Sequence, residues 1–363
     1  MALGLDEAGE ALWRRVAGAI ARGLDAPLPT AERDALILDV FAWQRRRSPV
    51  IERVVRAAGA PPRATTLDAV TGVPTDAFKT ARIACFDEVA TARVFKTSGT
   101  TREVRGEHAF ADLSLYVDAA VAMGRRWLLP EPHYRFILLA EDEVAAPHSS
   151  LTFMLARFAE RWHVASSGDP WMVRGGKLDV DRARAALAEA SRGDVPVALL
   201  GATFAFVHLA DALAGGERYR LPPRSVAMPT GGFKGRSREL PEEELFALIG
   251  DRFGLDRAAV VQEYGMTELS SQAYEAGAPG HYVSPPWMVV TAVDAETLSP
   301  LPDGERGILR VIDLANVGSC VAIQTADLGA THPGGFRVFG RAAGATPRGC
   351  ARAMDALLAG DDG

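Results

Sequence analysis

Phe95-Lys96-Thr97-Ser98-Gly99-Thr100-Thr101 is a hydroxyl-rich segment that continues to Arg105-Gly106. Hydroxyl residues surround Gly99, where the missing side chain lets the backbone approach an anion closely. The apolar pair Val94-Phe95 precedes the loop, and a helix-like run begins near Asp112. A loop between two such segments is the usual setting of a phosphate-binding site. The pattern is not a Walker A loop, since the chain has no Gly-x-x-x-x-Gly-Lys-Ser/Thr. Read alone, the same cluster also fits an ordinary turn-rich loop.

Size and composition indicate a globular protein in water. The 363 residues exceed one ordinary domain, so one large domain or two are expected. Hydrophobic residues make up 48% of the chain and charged residues 24%, and the formal charge of −6 gives no electrostatic reason to expect a nucleic acid partner. No apolar run of about eighteen residues predicts a membrane span. The acidic residues near the start do not resemble a signal peptide.

The cysteines and histidines argue against a zinc site. Cys85, Cys320 and Cys350 are widely spaced, and no His-x-x-x-His pattern occurs. Free thiols of this kind suit a reducing compartment, so we expect a cytoplasmic protein. Cys85 and Cys320 lie in apolar runs and are expected to be packing residues.

The order of periodic segments predicts an α/β fold with a largely parallel, helix-covered sheet and a smaller β-rich part. Residues 5–60 are predicted to be helical, and short strand-like runs follow from about 280. We expect the parts 1–94, 95–279 and 280–340 to form one domain, followed by a tail, 341–363. The predicted helices are 31–47, 113–129, 151–162, 178–191, 203–214 and 240–253. The predicted strands are 135–140, 195–200, 225–228 and 259–262.

Two polar motifs directly follow predicted strands, Thr230-Gly231-Gly232 and Tyr264-Gly265-Met266-Thr267-Glu268. Ligands bind outside the carboxyl ends of strands in open α/β sheets, so these loops could converge on one site. Each motif also has a plain structural interpretation. The first fits a tight turn, and the second fits a strand-end turn in which Thr267 caps the next helix.

The order of the motifs resembles the adenylate-forming superfamily, which includes acyl-CoA synthetases, luciferases and adenylation domains. Within it the chain looks most like the acyl-protein synthetases of bacterial bioluminescence operons (LuxE-like), on account of Val73-Pro74 leading to Phe78-Lys79 and of Gly231-Gly232-Phe233-Lys234-Gly235. The motifs that carry the wider resemblance are Thr97–Thr101, Thr230–Gly232, Tyr264–Glu268, Thr325-Ala326-Asp327-Leu328-Gly329 and Gly340-Arg341.

The resemblance implies that ATP and Mg²⁺ bind here. Thr97, Ser98, Gly99, Thr100 and Thr101 would hold the β- and γ-phosphates while pyrophosphate leaves. The family usually has a lysine near the end of this loop. In this chain Arg105 stands nearest, and it offers a planar fork instead of a point charge.

The other motifs would hold the nucleoside and the metal. Gly231 and Gly232 would let the backbone approach the adenine and the acyl carbonyl. Tyr264 would lie against the adenine, and Gly265 would belong to the ATP site. Thr267 would contact the α-phosphate. Glu268 would coordinate Mg²⁺, which prefers oxygen ligands.

Two later residues complete the implied nucleotide site. Asp327 would accept hydrogen bonds from the ribose hydroxyls, and Arg341 would assist at the ribose or the phosphate. Read alone, Asp327 also fits a turn before Gly329, and Arg341 a solvated surface charge.

The short segment after Gly340-Arg341 departs from the superfamily, whose members usually continue into a small domain that carries an adenylation lysine. We therefore expect that lysine to be absent or replaced. Cys350 is a candidate acyl carrier, since Arg348, Arg352 and a helix-like run from Ala351 would favour its thiolate. The cysteine could equally be a small buried residue.

Three functions stay open at this point. The first is ATP-dependent activation of a carboxylic acid, taken to be a fatty acid, with transfer of the acyl group to Cys350 or to a partner such as a reductase. The second is an adenylating enzyme that passes the acyl or aryl group to an amine, CoA or a carrier protein. The third is a nucleotide-binding protein without turnover. Phe204, Phe206 and His208 could line an acyl channel or be plain core.

Overall fold

The computed structural model describes residues 3–97, 104–213, 216–232 and 237–342. Within these ranges nine α-helices and fifteen strands form two compact units. The first unit comprises Met1–Ala120, Gly265–Ala273 and Gly277–Gly363, and the second comprises Val121–Tyr264 and Tyr274–Ala276. The division into parts that the sequence suggested stays a prediction.

The helices are α1 (Glu7–Ala21), α2 (Thr30–Arg47), α3 (Pro49–Ala57), α4 (Ala77–Thr80), α5 (Ser114–Trp127), α6 (Ser150–Trp162), α7 (Val180–Ala190), α8 (Thr203–Ala212) and α9 (Glu242–Phe253). The strands are β1 (Val73–Pro74), β2 (Arg93–Lys96), β3 (Glu107–Phe110), β4 (Arg135–Leu139), β5 (Val173–Arg174), β6 (Lys177–Leu178), β7 (Val197–Ala202), β8 (Val226–Thr230), β9 (Glu263–Tyr264), β10 (Ala273–Glu275), β11 (His281–Val283), β12 (Met288–Val293), β13 (Gly307–Asp313), β14 (Ala322–His332) and β15 (Gly335–Arg341).

The first unit is built on an antiparallel sheet in the order β12-β13-β14-β15-β11, with β1 parallel to β14. This agrees with the β-rich region predicted after residue 280. Gln44 of α2 ties the helices to the turn between β13 and β14. Its Nε2 donates to the carbonyls of Asn316 and Val317 at 3.0 Å, and its Oε1 accepts from the backbone N of Val321 at 2.8 Å. Each hydrogen-bonding atom of this buried amide is thereby used.

The second unit contains the predicted parallel sheet, in the order β4-β7-β8. Helices α7, α8 and α9 cover it with an apolar core that includes Leu187, Phe206 and Phe253. Helix α7 begins at Val180, later than predicted, because Asp179 caps it by accepting from the backbone N of Arg182.

One predicted strand, 259–262, is wrong. The backbone N–H groups of Ala259 and Val260 close a 3₁₀ turn on the carbonyls of Asp256 and Arg257, so they cannot join a ladder. Only an isolated bridge pairs this segment with β8, between Val260 and Ala227. The backbone N of Val261 donates to the Ala227 carbonyl at 2.8 Å.

No helix within the described ranges has both the length and the apolar character needed to cross a membrane.

Candidate functional site

The β2–β3 hairpin of the first unit holds the two ends of the hydroxyl-rich loop. The backbone N of Thr97 donates to the Gly106 carbonyl, and the backbone N of Gly106 donates to Thr97 Oγ1, both at 2.8 Å. A Cβ at Gly106 would lie 3.1 Å from Thr97 Cγ2 and 3.3 Å from Phe78 Cβ, so the loop base is closely packed. Arg105 is exposed. Ser98, Gly99, Thr100 and Thr101 lie outside the described residues.

A buried polar network fixes the segment that follows Tyr264. Asp313 is fully buried and accepts from the backbone N atoms of Ser270 and Ser271 at 3.0 and 2.8 Å, and from Ser271 Oγ at 2.8 Å. Asn316 Nδ2 donates to the Glu268 carbonyl at 2.8 Å, and Asn316 Oδ1 accepts from Ser270 Oγ at 2.6 Å. The backbone around Glu268 is therefore held from the β13–β14 turn, more than forty residues away in sequence.

His108 of β3 contacts the same segment from another side. Its Nδ1 lies 2.9 Å from the Thr267 carbonyl and its Nε2 lies 2.7 Å from Ser319 Oγ. Because a carbonyl can only accept, Nδ1 must carry the proton, and Nε2 then accepts from the Ser319 hydroxyl. Burial lowers the pKa of His108 to about 4, so the ring is neutral at physiological pH.

Glu268 is buried, and burial raises its pKa to about 7. Its own backbone N–H and the charges of Arg341 and Lys79 oppose this rise, whereas the charge of Asp327 adds to it. A buried carboxyl group poised near neutral pH beside a second acidic residue is typical of functional sites.

Asp327 and Arg341 lie opposite each other in the β14–β15 ladder. Arg341 Nε is 3.3 Å from Asp327 Oδ1, and the backbone N of Asp327 donates to Thr325 Oγ1 at 3.1 Å. Asp327 is buried, whereas the Arg341 side chain is 74% exposed. The ladder thus places the exposed guanidinium of Arg341 beside the buried carboxyl group of Asp327.

Lys79, of the Phe78-Lys79 motif, lies in α4 next to a residue that packs against His108. Phe78, its neighbour in α4, packs edge-on against His108 with ring centroids 5.7 Å apart. The backbone N of Thr75 donates to the Gln324 carbonyl of β14, which fixes the start of this segment. Lys79 Nζ forms an ion pair with Asp76 at 2.8 Å and is half-exposed. Its charge is the smallest of the named influences on Glu268, and it lowers the pKa of that carboxyl group.

The second unit holds the other predicted nucleotide residues. Gly231 and Gly232 are exposed, and Gly231 adopts a left-handed φ of 68° that a glycine tolerates best. Thr203 Oγ1 donates to the Gly231 carbonyl at 2.7 Å, which fixes the end of β8. Tyr264 is buried at the end of β9, and Gly265, which belongs to the first unit, is exposed.

Glu263, next to Tyr264, is a second carboxyl group that sequence reasoning missed. The residue as a whole is partly exposed, but its carboxyl group is buried, and burial raises the pKa to about 7. Thr230 Oγ1 donates to Glu263 Oε2 at 2.5 Å and opposes that rise. A threonine and a glutamate 33 residues apart give no signal in sequence.

The remaining candidates have different outcomes. Cys85 and Cys320 are buried, which agrees with the packing role predicted for them, and burial raises the pKa of Cys320 to about 12. Cys350 lies outside the described residues. Phe206 is buried in the core, whereas His208 is exposed.

Over the part of the chain that the structure describes, His, Cys, Asp and Glu form no group of three or more suited to a metal ion.

Comparison with known proteins identifies the family. The acyl-protein synthetase family LuxE matches residues 66–359. Among curated proteins, the long-chain-fatty-acid–luciferin-component ligases of Aliivibrio fischeri and Vibrio harveyi are 30% and 28% identical over 117 and 109 residues. These matches cover 32% and 29% of this chain and 29% of each relative's length.

The fold is shared with solved structures of 2-hydroxyisobutyryl-CoA ligase. An open conformation of 2-hydroxyisobutyryl-CoA ligase, in complex with 2-HIB-AMP and CoA, superposes with a TM-score of 0.61 at 17% identity, over 88% of this chain and 76% of that one. The postadenylation state of the same ligase gives a TM-score of 0.62 at 17% identity, over 86% and 69%. The fold class and the resemblance predicted from the sequence are confirmed.

Proposed function

This chain belongs to the acyl-protein synthetase family LuxE, and we propose that it uses ATP to activate a fatty acid as an acyl-adenylate and then passes the acyl group to a protein cysteine. The observation that carries the proposal is the fixed Thr267–Glu268 segment, whose buried carboxyl group lies in the field of Asp327, Arg341 and Lys79. The relatives' names, as long-chain-fatty-acid–luciferin-component ligases, support the choice of a fatty acid and a protein acceptor.

In the first step, a carboxylate oxygen of the acid attacks the α-phosphorus of ATP. An O–P bond forms, the bond from the α-phosphorus to the oxygen bridging to the β-phosphate breaks, and pyrophosphate leaves with the electron pair. We propose that Thr267 donates to the α-phosphate while Arg341 and Lys79 offset the negative charge. The motifs assign the ribose hydroxyls to Asp327 and the adenine to Gly231, Gly232 and Tyr264, and we propose these roles on the family resemblance.

The chemistry of Glu268 suits a magnesium ion. Its carboxyl group is buried, burial raises its pKa, and a cation beside it would stabilise the charged form. We propose that Glu268 holds Mg²⁺, which when bound supplies positive charge for the triphosphate. Glu268 must then be deprotonated.

In the second step, a cysteine thiolate attacks the acyl carbonyl carbon of the acyl-adenylate. A C–S bond forms, the bond between the carbonyl carbon and the phosphate oxygen breaks, and AMP leaves. Cys350 is the proposed thiol, because Arg348 and Arg352 lie close to it in sequence and favour a thiolate. The acyl group would then pass from this thioester to a partner protein.

Carboxylate-dependent exchange of pyrophosphate into ATP tests the first step. We expect exchange with fatty acids from a panel that spans short, long and aromatic acids, and loss of exchange in Glu268→Gln with folding intact. Absence of exchange with every acid would contradict adenylation and favour a nucleotide-binding protein without turnover. Unchanged exchange in Glu268→Gln would contradict the site assignment.

Labelling with a radioactive fatty acid and ATP tests the second step. We expect a label that hydroxylamine removes, as for a thioester, and that Cys350→Ser abolishes. Cys85→Ala and Cys320→Ala are matched controls, because both thiols are buried and should leave the labelling intact. Exchange without labelling in any variant would indicate an amine, CoA or a carrier protein as the acceptor.

A further inference from the structure

We propose that His108 is a positioning residue for adenylation: its ring ties the end of the hydroxyl-rich loop to Thr267 and holds the Thr267–Glu268 segment in its working conformation. The inference rests on the proposed function, and it concerns a residue that would touch neither the nucleotide nor the acid.

The contacts of His108 close a cycle of hydrogen bonds. The two imidazole nitrogens join the Thr267 carbonyl to Ser319 Oγ, and the backbone N of Ser319 donates to the Asn316 carbonyl at 2.9 Å. Asn316 Nδ2 in turn donates to the carbonyl of Glu268. The carbonyls of two successive residues, Thr267 and Glu268, are therefore each held by a buried side chain. Their peptide units cannot rotate without breaking one of these bonds.

The position of His108 in sequence links this cycle of hydrogen bonds to the hydroxyl-rich loop. It stands two residues after Gly106, whose backbone closes the loop on Thr97. Phe78 packs against the His108 ring, and a Cβ at Gly106 would lie 3.3 Å from Phe78 Cβ. If phosphate binding shifts the hydrogen-bonded pair Thr97–Gly106, strand β3 and the Phe78–His108 contact would therefore transmit that displacement to Thr267. Closely packed contacts of this kind transmit small displacements.

Histidine suits this place better than other polar residues. One nitrogen must donate to a carbonyl while the other accepts from a hydroxyl, and a neutral imidazole does both in one plane. The ring also fills the space beside Phe110, with ring centroids 4.1 Å apart. Asparagine can place an N–H near the Nδ1 position, and glutamine can place its amide near Nε2. Each therefore replaces one of the two contacts.

This difference gives a test with three variants of the full chain. His108→Asn keeps the donor to Thr267, His108→Gln keeps only the contact to Ser319, and Ser319→Ala removes the Ser319 contact while leaving the donor. In His108→Gln we expect the kcat of pyrophosphate exchange to fall about tenfold or more, as when a residue that supports a metal ligand is replaced. The Mg²⁺ concentration for half-activation should rise by a similar factor, and the KM of the acid should stay unchanged. His108→Asn and Ser319→Ala should stay within about threefold of wild type.

Two further measurements separate positioning from simple destabilisation. The thermal midpoints of His108→Asn and His108→Gln should be alike, because both lose the same ring packing. Calorimetric binding of Mg·ATP should weaken in His108→Gln and recover in His108→Asn. Equal losses in both variants, or none, would overturn the inference. A wild type that binds Mg·ATP but shows no exchange would instead overturn the proposed function, and the calorimetric comparison would still decide the role of His108.

Discussion

Arg341 faces Asp327 across the last two strands of the β-rich sheet, 3.3 Å from Nε to Oδ1, yet the two side chains differ sharply in exposure. The arginine is 74% exposed and the aspartate 12%. An ion pair with one solvated partner contributes little to folding. The arrangement therefore suits a cation that can leave the aspartate and follow a ligand.

Arg341→Ala should separate stability from nucleotide binding. We expect the free energy of unfolding to change by less than about 1 kcal/mol, because the pair is largely solvated. The KM for ATP should rise about tenfold, as expected when a charge-assisted contact to the nucleotide is lost. Arg337→Ala is the matched control, since Arg337 lies on the same strand opposite Ala330 instead of Asp327. Equal effects of the two variants would argue against a role for Arg341 at the nucleotide.

The exchange reaction should depend on pH through Glu268. Burial raises the pKa of this carboxyl group to about 7, so it is mostly protonated below that pH and cannot bind Mg²⁺ well. At subsaturating Mg²⁺ we expect the exchange rate to rise as the pH increases from 6 to 8. This rise, the acid limb of the pH–rate profile, should flatten at saturating Mg²⁺. A rate that is independent of both pH and Mg²⁺ in this range would show that Glu268 is not the metal ligand.

Lys79 should contribute to the pH at which exchange begins to rise. Its charge opposes the effect of burial on the pKa of Glu268, so Lys79→Met should move the limb to higher pH while Lys79→Arg leaves it in place. Lys96→Met is a matched control, because Lys96 is also paired, with Glu107 at 2.6 Å, and half-buried. A lower kcat at all pH values, with no displacement of the limb, would assign Lys79 to the phosphates and not to Glu268.

Local patterns predicted much of this fold from sequence. The periodicity of α2 and α6 gave their positions to within one residue, and the apolar runs of β4 and β7 gave the parallel sheet. The strand predicted at 259–262 failed, because the competing bonds of a 3₁₀ turn at Asp256 leave no trace in hydrophobicity.

The support of the site could not be predicted in the same way. Asp313 and Asn316 hold the Glu268 segment from 42 to 48 residues away, and nothing in a motif signals such a pairing. His108 stands two residues after Gly106, but no sequence motif singled it out. Its partners, the Thr267 carbonyl and Ser319, exist only once the chain has folded.

Glu263 should make the stability of the protein fall as the pH rises. In the unfolded chain this carboxyl group ionises near its ordinary pKa of 4.5, whereas in the folded protein burial holds its pKa at about 7. Between these values the folded state binds more protons than the unfolded state, so the free energy of unfolding decreases with increasing pH. The loss amounts to about 3 kcal/mol at most and is complete above about pH 8.

Glu263→Gln should remove that dependence while keeping a hydrogen bond to Thr230. In urea denaturation at pH 5 and pH 8.5, we expect the variant to gain stability relative to wild type at the higher pH, because an amide carries no buried charge. Thr230→Val should act in the opposite direction, since the hydroxyl that stabilises the charged carboxylate is lost. A difference between wild type and Glu263→Gln that is the same at both pH values would mean that this carboxyl group ionises alike in the folded and unfolded chain.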